Sequence, residues 1–319
     1  MRTTFVETLT EMAARDHRVM LVVGDLGFGV VTDFARRFPR QFLNVGVAEQ
    51  NMAGVAAGLA MAGKIVFTYS IGNFPTLRCL EQIRNDICYH DANVIVVSVG
   101  GGFSYGALGM THHATEDIAI MRAIPGMKVI APGDPLETVA ATRAVAEGIG
   151  PVYLRLGRAG EPVVHRGHLD WTLGKGVTVR EGKDLTLIST GAMLATTVTV
   201  AESLARDGFQ ARVLSMHTIS PLDDEAVLSA ARESGMIFTI EEHSIVGGLG
   251  GAVSEVLAES NLPQVSFRRF GVPSTFGKEV GSQDYLRALF GLDAESIGQN
   301  ILSILRRRSA GRPGTAAAA

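Results

Sequence analysis

The sequence predicts an α/β protein with two consecutive domains, each built on a mostly parallel sheet flanked by helices. The chain has 319 residues, which is long enough for two packed domains. Short apolar runs alternate with amphipathic segments, a pattern typical of parallel strands joined by crossover helices. The alternation stops once, in a stretch that contains Pro, Gly and His without helical period, and then begins again. The pattern therefore indicates two α/β domains joined by a linker.

The first domain is predicted over residues 1–160. Five apolar runs in it have the length and composition of buried strands. These runs are RVMLVVGDL (18–26), KIVFTYS (64–70), NVIVVSVGG (93–101), MKVIAP (127–132) and PVYLRLGR (151–158).

A linker is predicted over 161–183, followed by a second, smaller domain over 184–308. The second domain repeats the strand and helix alternation. Its predicted strands are DLTLISTG (184–191), QARVLSMH (210–217), MIFTIEEH (236–243) and QVSFRRFG (264–271), and its predicted helices cover 192–207, 222–234, 249–260 and 295–307. The final stretch SAGRPGTAAAA (309–319) is low in complexity, which predicts a disordered tail.

The composition excludes several classes of partner. The formal net charge is -3 with both signs scattered along the chain, which argues against nucleic acid or a membrane surface as a partner. The start, MRTTFVETLTEMAARD, lacks the pattern of a cleaved leader, and no apolar run has the length of a membrane span. Cys79 and Cys88 have no metal-binding spacing and are expected to be reduced core thiols. We expect a cytoplasmic protein.

Glu49 is the one charged residue in VGVAEQNMAGVAAGLAMAG (45–63). A lone Glu is most often a solvated surface residue. Here, however, Met52, Val55 and Leu59 recur at helical spacing, and the small residues between them allow close packing of that helix. Glu49 would then lie in the first turn of a buried helix, where the helix dipole favours a carboxylate. An acid shielded from water in this way can share a proton with a ring nitrogen of a ligand.

Four blocks of the sequence resemble the transketolase family. They are NVGVAEQNMAGVAAGLA (44–60) with GDL before it, FTYSIGNFPTLRCLEQIRND (67–86), GMTHHATEDIAIMRAIPGMKVIAPGD (109–134) and EEHSIVGGLGGAVSEV (241–256). The likeness extends over residues 1–308 and covers the pyrimidine-binding and C-terminal domains of that family. The chain most resembles the C-terminal half of a split transketolase, without the domain that binds the cofactor diphosphate and magnesium.

The resemblance implies an enzyme that uses thiamine diphosphate to transfer a two-carbon ketol unit from a ketose to an aldehyde. In the family, the glutamate that matches Glu49 hydrogen-bonds the pyrimidine ring and promotes the tautomer that takes a proton from the thiazolium carbon. Phe74 matches an aromatic residue that stacks on this ring, with a core Phe as the alternative. Phe67 and Tyr69 are expected to complete the ring pocket. Asp25, in a GD pair that resembles the start of a cofactor signature, is expected to be a cofactor-binding residue, but no Asn pair follows, so no metal ligand is assigned.

The substrate residues implied by the resemblance are two histidines and two arginines. His112 matches the histidine that faces the reacting carbon as a general acid, base or polarising group. His113 replaces a usual Gln, and two adjacent loop histidines could instead be solvated. Arg158 matches an arginine that grips a substrate phosphate, and Arg2 matches a second, because guanidinium donors fork onto two oxygens. Arg155 and Arg158 could equally be structural ion-pair partners.

Two departures from the family pattern concern the substrate. The loop GGGFSYGALGM (100–110) lacks the histidine and the acid that sugar-phosphate transketolases carry there. Gly29 stands where a phosphate-holding serine often follows GDL. The cofactor machinery is thus expected to be intact and the substrate grip altered. A modified sugar, an unphosphorylated aldehyde and a larger acceptor all stay open as substrates.

The resemblance also implies a partner. The cofactor of the family binds between domains of two units, so this chain offers half a site. We expect an N-terminal transketolase subunit that binds Mg²⁺, an α2β2 heterotetramer, and a contact through the apolar helix at 50–62.

Three alternatives remain from the sequence. The first is the beta subunit of a 2-oxo-acid dehydrogenase, which shares this two-domain layout but decarboxylates its substrate. The second is an enzyme similar to deoxyxylulose-phosphate synthase, which is normally one long chain. The third is a non-enzymatic partner protein. The joint presence of Glu49, Phe74 and His112 argues against the third.

Overall fold

The computed structural model describes residues 1–148, 150–262 and 264–310. These residues form two mostly parallel sheets flanked by helices, which confirms the predicted fold class. Residues 311–319 of the predicted tail lie outside the described residues, and the last helix continues to Ala310.

Nine of the twelve described strands follow the apolar runs of the sequence, because a strand between two helical layers is buried on both faces. The twelve strands are β1 (Val19–Val23), β2 (Phe42–Asn44), β3 (Ile65–Ile71), β4 (Val94–Val99), β5 (Lys128–Ile130), β6 (Val152–Leu156), β7 (Val177–Arg180), β8 (Leu185–Ser189), β9 (Ala211–Ser215), β10 (Thr218–Ser220), β11 (Met236–Ser244) and β12 (Ser266–Val272).

Four of the described helices begin at polar caps, where Asp134, Asp223, Ser282 and Asp293 each accept a backbone N–H from three residues on. The α-helices are α1 (Arg2–Ala13), α2 (Thr32–Arg37), α3 (Glu49–Met61), α4 (Leu80–Gln82), α5 (Asp117–Arg122), α6 (Pro135–Val145), α7 (Leu194–Arg206), α8 (Asp224–Ser234), α9 (Leu249–Glu259), α10 (Gln283–Leu289) and α11 (Ala294–Ala310). Among the described helices, none has both the length and the apolar character needed to cross a membrane.

The first sheet has the strand order β10-β5-β6-β4-β3-β1-β2, and the second has the order β12-β11-β8-β9-β7. All neighbouring strands are parallel except β10 with β5 and β7 with β9. Because parallel strands end at the same edge, the loops after β1, β2, β3 and β4 meet at the carboxyl edge of the first sheet. This edge carries most of the predicted site residues.

Three strands depart from the sequence expectation. β2 is a three-residue strand that no predicted run covers, and it pairs in parallel with β1. β7 lies inside the predicted linker yet pairs with β9 at the edge of the second sheet. β10 belongs by sequence to the second domain but adds an antiparallel strand to the first sheet through β5. Strands of three or four residues show no periodicity that a sequence pattern can detect, and their tertiary partners decide their conformation. The predicted domain boundaries themselves stay predictions.

The first sheet separates two hydrophobic cores. On one face Val66 packs with Met52 of α3 and with residues of β4 and β6. On the other face Phe67 and Tyr69 pack with Phe5 of α1. Alternate residues of β3 therefore face opposite cores, as strand geometry requires.

Candidate active site

Glu49 is the first residue of α3 and is only 2% exposed. The space for its carboxylate comes from Gly24 at the end of β1, since a Cβ on that glycine would lie 3.4 Å from Glu49 Cγ. Arg78 Nη1 donates to Glu49 Oε2 at 2.8 Å. The sequence expectation of a shielded acid at the start of this helix agrees with the structure.

Arg78 is a site residue that the sequence interpretation missed. Its side chain is 47% exposed, and its Cζ lies 4.6 Å from the centre of the Phe74 ring. The guanidinium therefore contacts the acid and the aromatic residue together. The signal available in the sequence was its place four residues after Phe74, inside a block that already resembled the family.

A cleft of about 690 Å³ lies beside this pair, between the two domains. Its walls come from the loop after β3, the loop that carries the two histidines, and a loop of the second domain. The lining residues are Asn73, Phe74, Leu77, Arg78, Met110, Thr111, His113, Thr115, Glu116, Ile120, Phe276 and Gly277. Phe276, which the sequence interpretation also missed, is 69% exposed.

His112 and His113 occupy different environments. The half-buried His112 ring packs edge-on against Phe74 with 5.2 Å between ring centres, and its Nδ1 lies 3.0 Å from Thr111 Oγ1. His113 is buried against Phe103, and within the described residues neither of its ring nitrogens has a hydrogen-bond partner of normal geometry. Burial lowers the pKa of His113, and the nearby Gly106 backbone offsets this only in part. His113 is therefore a neutral, unpartnered imidazole at the cleft wall.

Phe67 and Tyr69 do not line the cleft. Both are buried in the core that faces α1, where the Phe5 ring centre lies 5.9 Å from that of Phe67 and 6.2 Å from that of Tyr69. The expected ring-pocket role is thus corrected for this structure, because β3 turns these alternate side chains away from α3 and Glu49.

Asp25 lies at the surface of the loop after β1, with a positive φ of 56°. It forms a reciprocal pair with Asn44: the Asp25 backbone N–H donates to Asn44 Oδ1 at 3.0 Å, and Asn44 Nδ2 donates to Asp25 Oδ1 at 2.9 Å. This pair ties the end of β1 to the end of β2, immediately before Glu49.

The predicted arginines fall into two groups. Arg158 is exposed, with its Cζ 5.3 Å from the centre of the Tyr105 ring, and is available to an anion. Arg2 is half-buried at the start of α1, and its Nε is buried without a described hydrogen-bond partner. Arg155 is instead a structural ion-pair partner, since its Nε donates to Asp117 Oδ2 at 2.7 Å.

The interdomain seam, defined by Asp117, Arg155, Glu242 and Arg287, lies behind the histidine loop. Arg155 Nη2 donates to the backbone oxygens of Ala114 and Glu242, at 2.8 and 3.0 Å. Burial is the largest single influence and opposes the ionisation of Asp117. The charge of Arg155 and the hydrogen bonds from Arg155 and Tyr153 together outweigh it and hold the pKa of Asp117 below its usual range. Glu242 accepts from Arg287 Nε at 2.8 Å. The seam therefore fixes the histidine loop against the second domain.

Two family profiles match the chain. The pyrimidine-binding domain of transketolase matches residues 1–161, and the transketolase C-terminal domain matches residues 174–297. A 6-deoxy-6-sulfo-D-fructose transketolase subunit, SqwH, from Clostridium sp. is 41% identical, with 97% of this chain and 95% of the relative covered. A subunit of an apulose-4-phosphate transketolase from Phocaeicola vulgatus is 39% identical over 96% of this chain and 97% of its own length.

The chain is also similar to a solved structure and to longer enzymes. A structure described as a split gene transketolase, inactive beta4 tetramer, is 38% identical with a TM-score of 0.85, covering 95% of this chain and 96% of the other. A 1-deoxy-D-xylulose-5-phosphate synthase from Geobacter sulfurreducens is 33% identical, but the match covers only 48% of that enzyme, so this alternative has weaker support. The chain belongs to the transketolase family, in which it corresponds to the C-terminal, pyrimidine-binding subunit of a split transketolase.

Proposed function

We propose that this chain and a partner subunit together transfer a two-carbon ketol unit from a ketose to an aldehyde, with Glu49, Phe74 and His112 at the reacting end of the cleft. The observation that carries this proposal is the buried Glu49 at the start of α3, beside an aromatic ring that His112 also contacts. A solvated acid could not serve in this way, because water would compete for its proton.

The residues fit the pyrimidine ring of thiamine diphosphate. Phe74 offers a half-buried aromatic face, which suits a flat heterocycle. Glu49 offers a carboxylate to which, among the described residues, Arg78 is the one hydrogen-bond donor. Gly24 has no side chain to fill the space next to that carboxylate. Asp25 supports the site indirectly through Asn44, and we assign Mg²⁺ to the partner subunit.

The mechanism is divided between the cofactor and the chain. When bound, thiamine diphosphate supplies a nucleophilic carbon that carries the two-carbon unit. Glu49 holds and returns a proton at the pyrimidine ring. His112, on the cleft side of Phe74, is placed to move protons at the substrate hydroxyls. His113 also lines the cleft and is a second candidate contact to the substrate, with its ring nitrogens buried in the free chain. The apolar walls limit the access of water.

We infer that the substrate carries an anionic end. Support comes from the exposed guanidinium of Arg158, with Arg2 as the second candidate contact. The two relatives described by their substrates are named for a phosphorylated and a sulfonated sugar. Because of the departures at Gly29 and in the loop 100–110, the residues that bind the anionic end of the substrate differ from those of sugar-phosphate transketolases.

The proposed assembly is an α2β2 heterotetramer in the cytoplasm. The outer face of α3 supports a close contact with another chain, because Gly54 and Gly58 are exposed there and a Cβ on either glycine would meet no atom within 4 Å. Val47 and Met61 add exposed apolar side chains at the two ends of this helix. The described cysteines, Cys79 and Cys88, are both free, as expected in a reducing compartment.

Native mass spectrometry of the tagged chain, isolated from its own cells with magnesium, tests the proposal. We expect a partner subunit and retained thiamine diphosphate in one complex, and ketol transfer by that complex. Recovery with a lipoyl-bearing acyltransferase would support the 2-oxo-acid dehydrogenase alternative instead. Recovery of the chain alone, without cofactor, would support the non-enzymatic alternative.

A further inference from the structure

We propose that Arg78 occupies the binding position of the pyrimidine ring whenever the cofactor is absent, and leaves it when thiamine diphosphate binds. This inference rests on the proposed function, which places the ring between Phe74 and Glu49. It concerns a residue that the proposed mechanism does not use.

The first argument is that Arg78 already makes the two contacts that the ring needs. Its planar guanidinium lies over the Phe74 ring, with Cζ 4.6 Å from the ring centre. Its Nη1 donates to Glu49 Oε2 at 2.8 Å. An aminopyrimidine is also flat and polar at its edge, so it would stack on the same aromatic face and turn that edge to the same carboxylate. Arg78 and the ring therefore compete for one place.

The second argument is the direction from which Arg78 reaches the acid. Glu49 is buried, whereas the Arg78 side chain is 47% exposed and lines the cleft. The guanidinium therefore covers the acid from the cleft side, the side from which a ligand would come. Within the described residues the guanidinium makes no other hydrogen bond or ion pair.

The third argument is that the contacts of Arg78 are weak enough to exchange. A half-exposed ion pair and a half-exposed cation–π contact are each of the class that contributes little net stability. The backbone around Arg78 is irregular, with a 3-10 turn at Leu77–Cys79, the short α4 and a π-helical turn at Ile83–Cys88. Such interruptions are frequent at functional sites. A new rotamer of Arg78 can therefore clear the binding position without unfolding a regular helix.

Calorimetric titration of thiamine diphosphate with Mg²⁺ into the complex of this chain with its partner tests the proposal. If Arg78 occupies the binding position for about nine-tenths of the time, Arg78→Ala lowers the cofactor Kd about tenfold, because the competent fraction rises to one. Arg78→Lys keeps the charge but loses the planar stack, and we expect a smaller decrease. Arg84→Ala is the matched control. Arg84 lies on the same segment, is exposed, and within the described residues its side chain donates to Asn85 alone, so the Kd stays unchanged.

A second readout uses the full chain without partner or cofactor. Arg78→Ala lowers its melting temperature by about 2 °C, because Glu49 loses its donor. An unchanged or higher cofactor Kd in Arg78→Ala would overturn the proposal, since Arg78 would then be a bystander or a permanent partner of Glu49. Glu49→Gln and Phe74→Ala distinguish failure of the Arg78 proposal from failure of the proposed function. If neither substitution weakens cofactor binding, the ring does not bind between Phe74 and Glu49, and the proposed function is wrong.

Discussion

The cleft and the interdomain seam contain similar residue types in opposite states. In the seam, Arg155 makes three hydrogen bonds, to Asp117, Ala114 and Glu242, all supplied by the chain itself. In the cleft, neither ring nitrogen of His113 has a described hydrogen-bond partner of normal geometry, and Glu49 is held by one half-exposed arginine. The difference separates residues whose partners come with folding from residues whose partners come with a ligand.

The contrast has a physical basis in desolvation. A buried charge that keeps its partners costs little to maintain, but it resists change because removing one partner leaves the other uncompensated. A buried polar group without a partner costs stability in the free chain, and this cost is recovered only when a ligand provides the missing bond. Substitutions in the seam should therefore act on stability, and substitutions in the cleft should act on activity.

The largest effect is expected for Glu49→Gln. An amide cannot exchange a proton with the pyrimidine ring, so turnover by the assembled complex falls by about 10³-fold or more. Gln has nearly the same shape and can still accept from Arg78, so assembly and melting temperature stay close to wild type. Steady-state kinetics and native mass spectrometry of the same preparation measure both quantities. Near-normal turnover would show that Glu49 has no part in the mechanism. The cleft and the seam would then not differ in the way proposed.

The next effect is expected for Asp117→Asn in the seam. This change leaves the buried guanidinium of Arg155 without its counter-charge, and the free energy of unfolding falls by about 3 kcal/mol. Urea denaturation of the isolated chain measures it. Glu255→Gln is the control, since Glu255 is exposed and its ion pair with Arg122 also joins the two domains, so the loss stays within about 1 kcal/mol. Equal losses in both variants would show that burial does not set the strength of the seam.

The features of the two regions that depend on a local sequence pattern are predictable from the sequence. Buried strands show as apolar runs, and Glu49 was recognisable because one acid stood at the start of an apolar helix. The roles of Arg155 and Arg158 could not be separated, because both follow the same strand pattern and only tertiary contacts distinguish them. Phe67 and Tyr69 are expected from the sequence to complete the ring pocket, whereas in the structure they pack in the core on the α1 side of β3, since proximity in sequence to a site does not fix the direction of a side chain.

A smaller effect with a defined pH dependence is expected for Glu241 at the back of the seam. Burial raises the pKa of Glu241 to about 7, although the backbone N–H groups of Gly250 and Leu249 donate to its carboxylate. Its folded pKa thus exceeds the unfolded value, so its contribution is present below about pH 4.5 and is lost as the pH rises through 7. Glu241→Gln abolishes this loss. Between pH 4.5 and 8, the free energy of unfolding of the variant therefore rises by up to about 3 kcal/mol relative to that of wild type.

Urea denaturation at several pH values checks this prediction through the difference between wild type and Glu241→Gln. The difference reduces the background from other titrating groups. His243 contributes with the opposite sign, because burial lowers its pKa to about 4, and its Nδ1 lies 3.7 Å from Glu241 Oε2. A difference that does not change with pH would mean that Glu241 stays ionised in the folded chain. The folded chain would then stabilise the ionised carboxylate of Glu241 more strongly than its burial indicates.

The smallest effect on stability, and the sharpest test of the comparison, is expected for His113→Leu. Leu fills much of the same volume without a polar atom, so the unpartnered imidazole is removed and the free energy of unfolding rises by about 1 kcal/mol. The same change removes a candidate substrate contact and alters the cleft wall beside His112, so kcat/KM of the complex falls about tenfold. Urea denaturation and steady-state kinetics measure the two effects. A loss of several kcal/mol with unchanged kcat/KM would make His113 a core residue like Phe103, and the boundary between the two regions would then lie closer to His112.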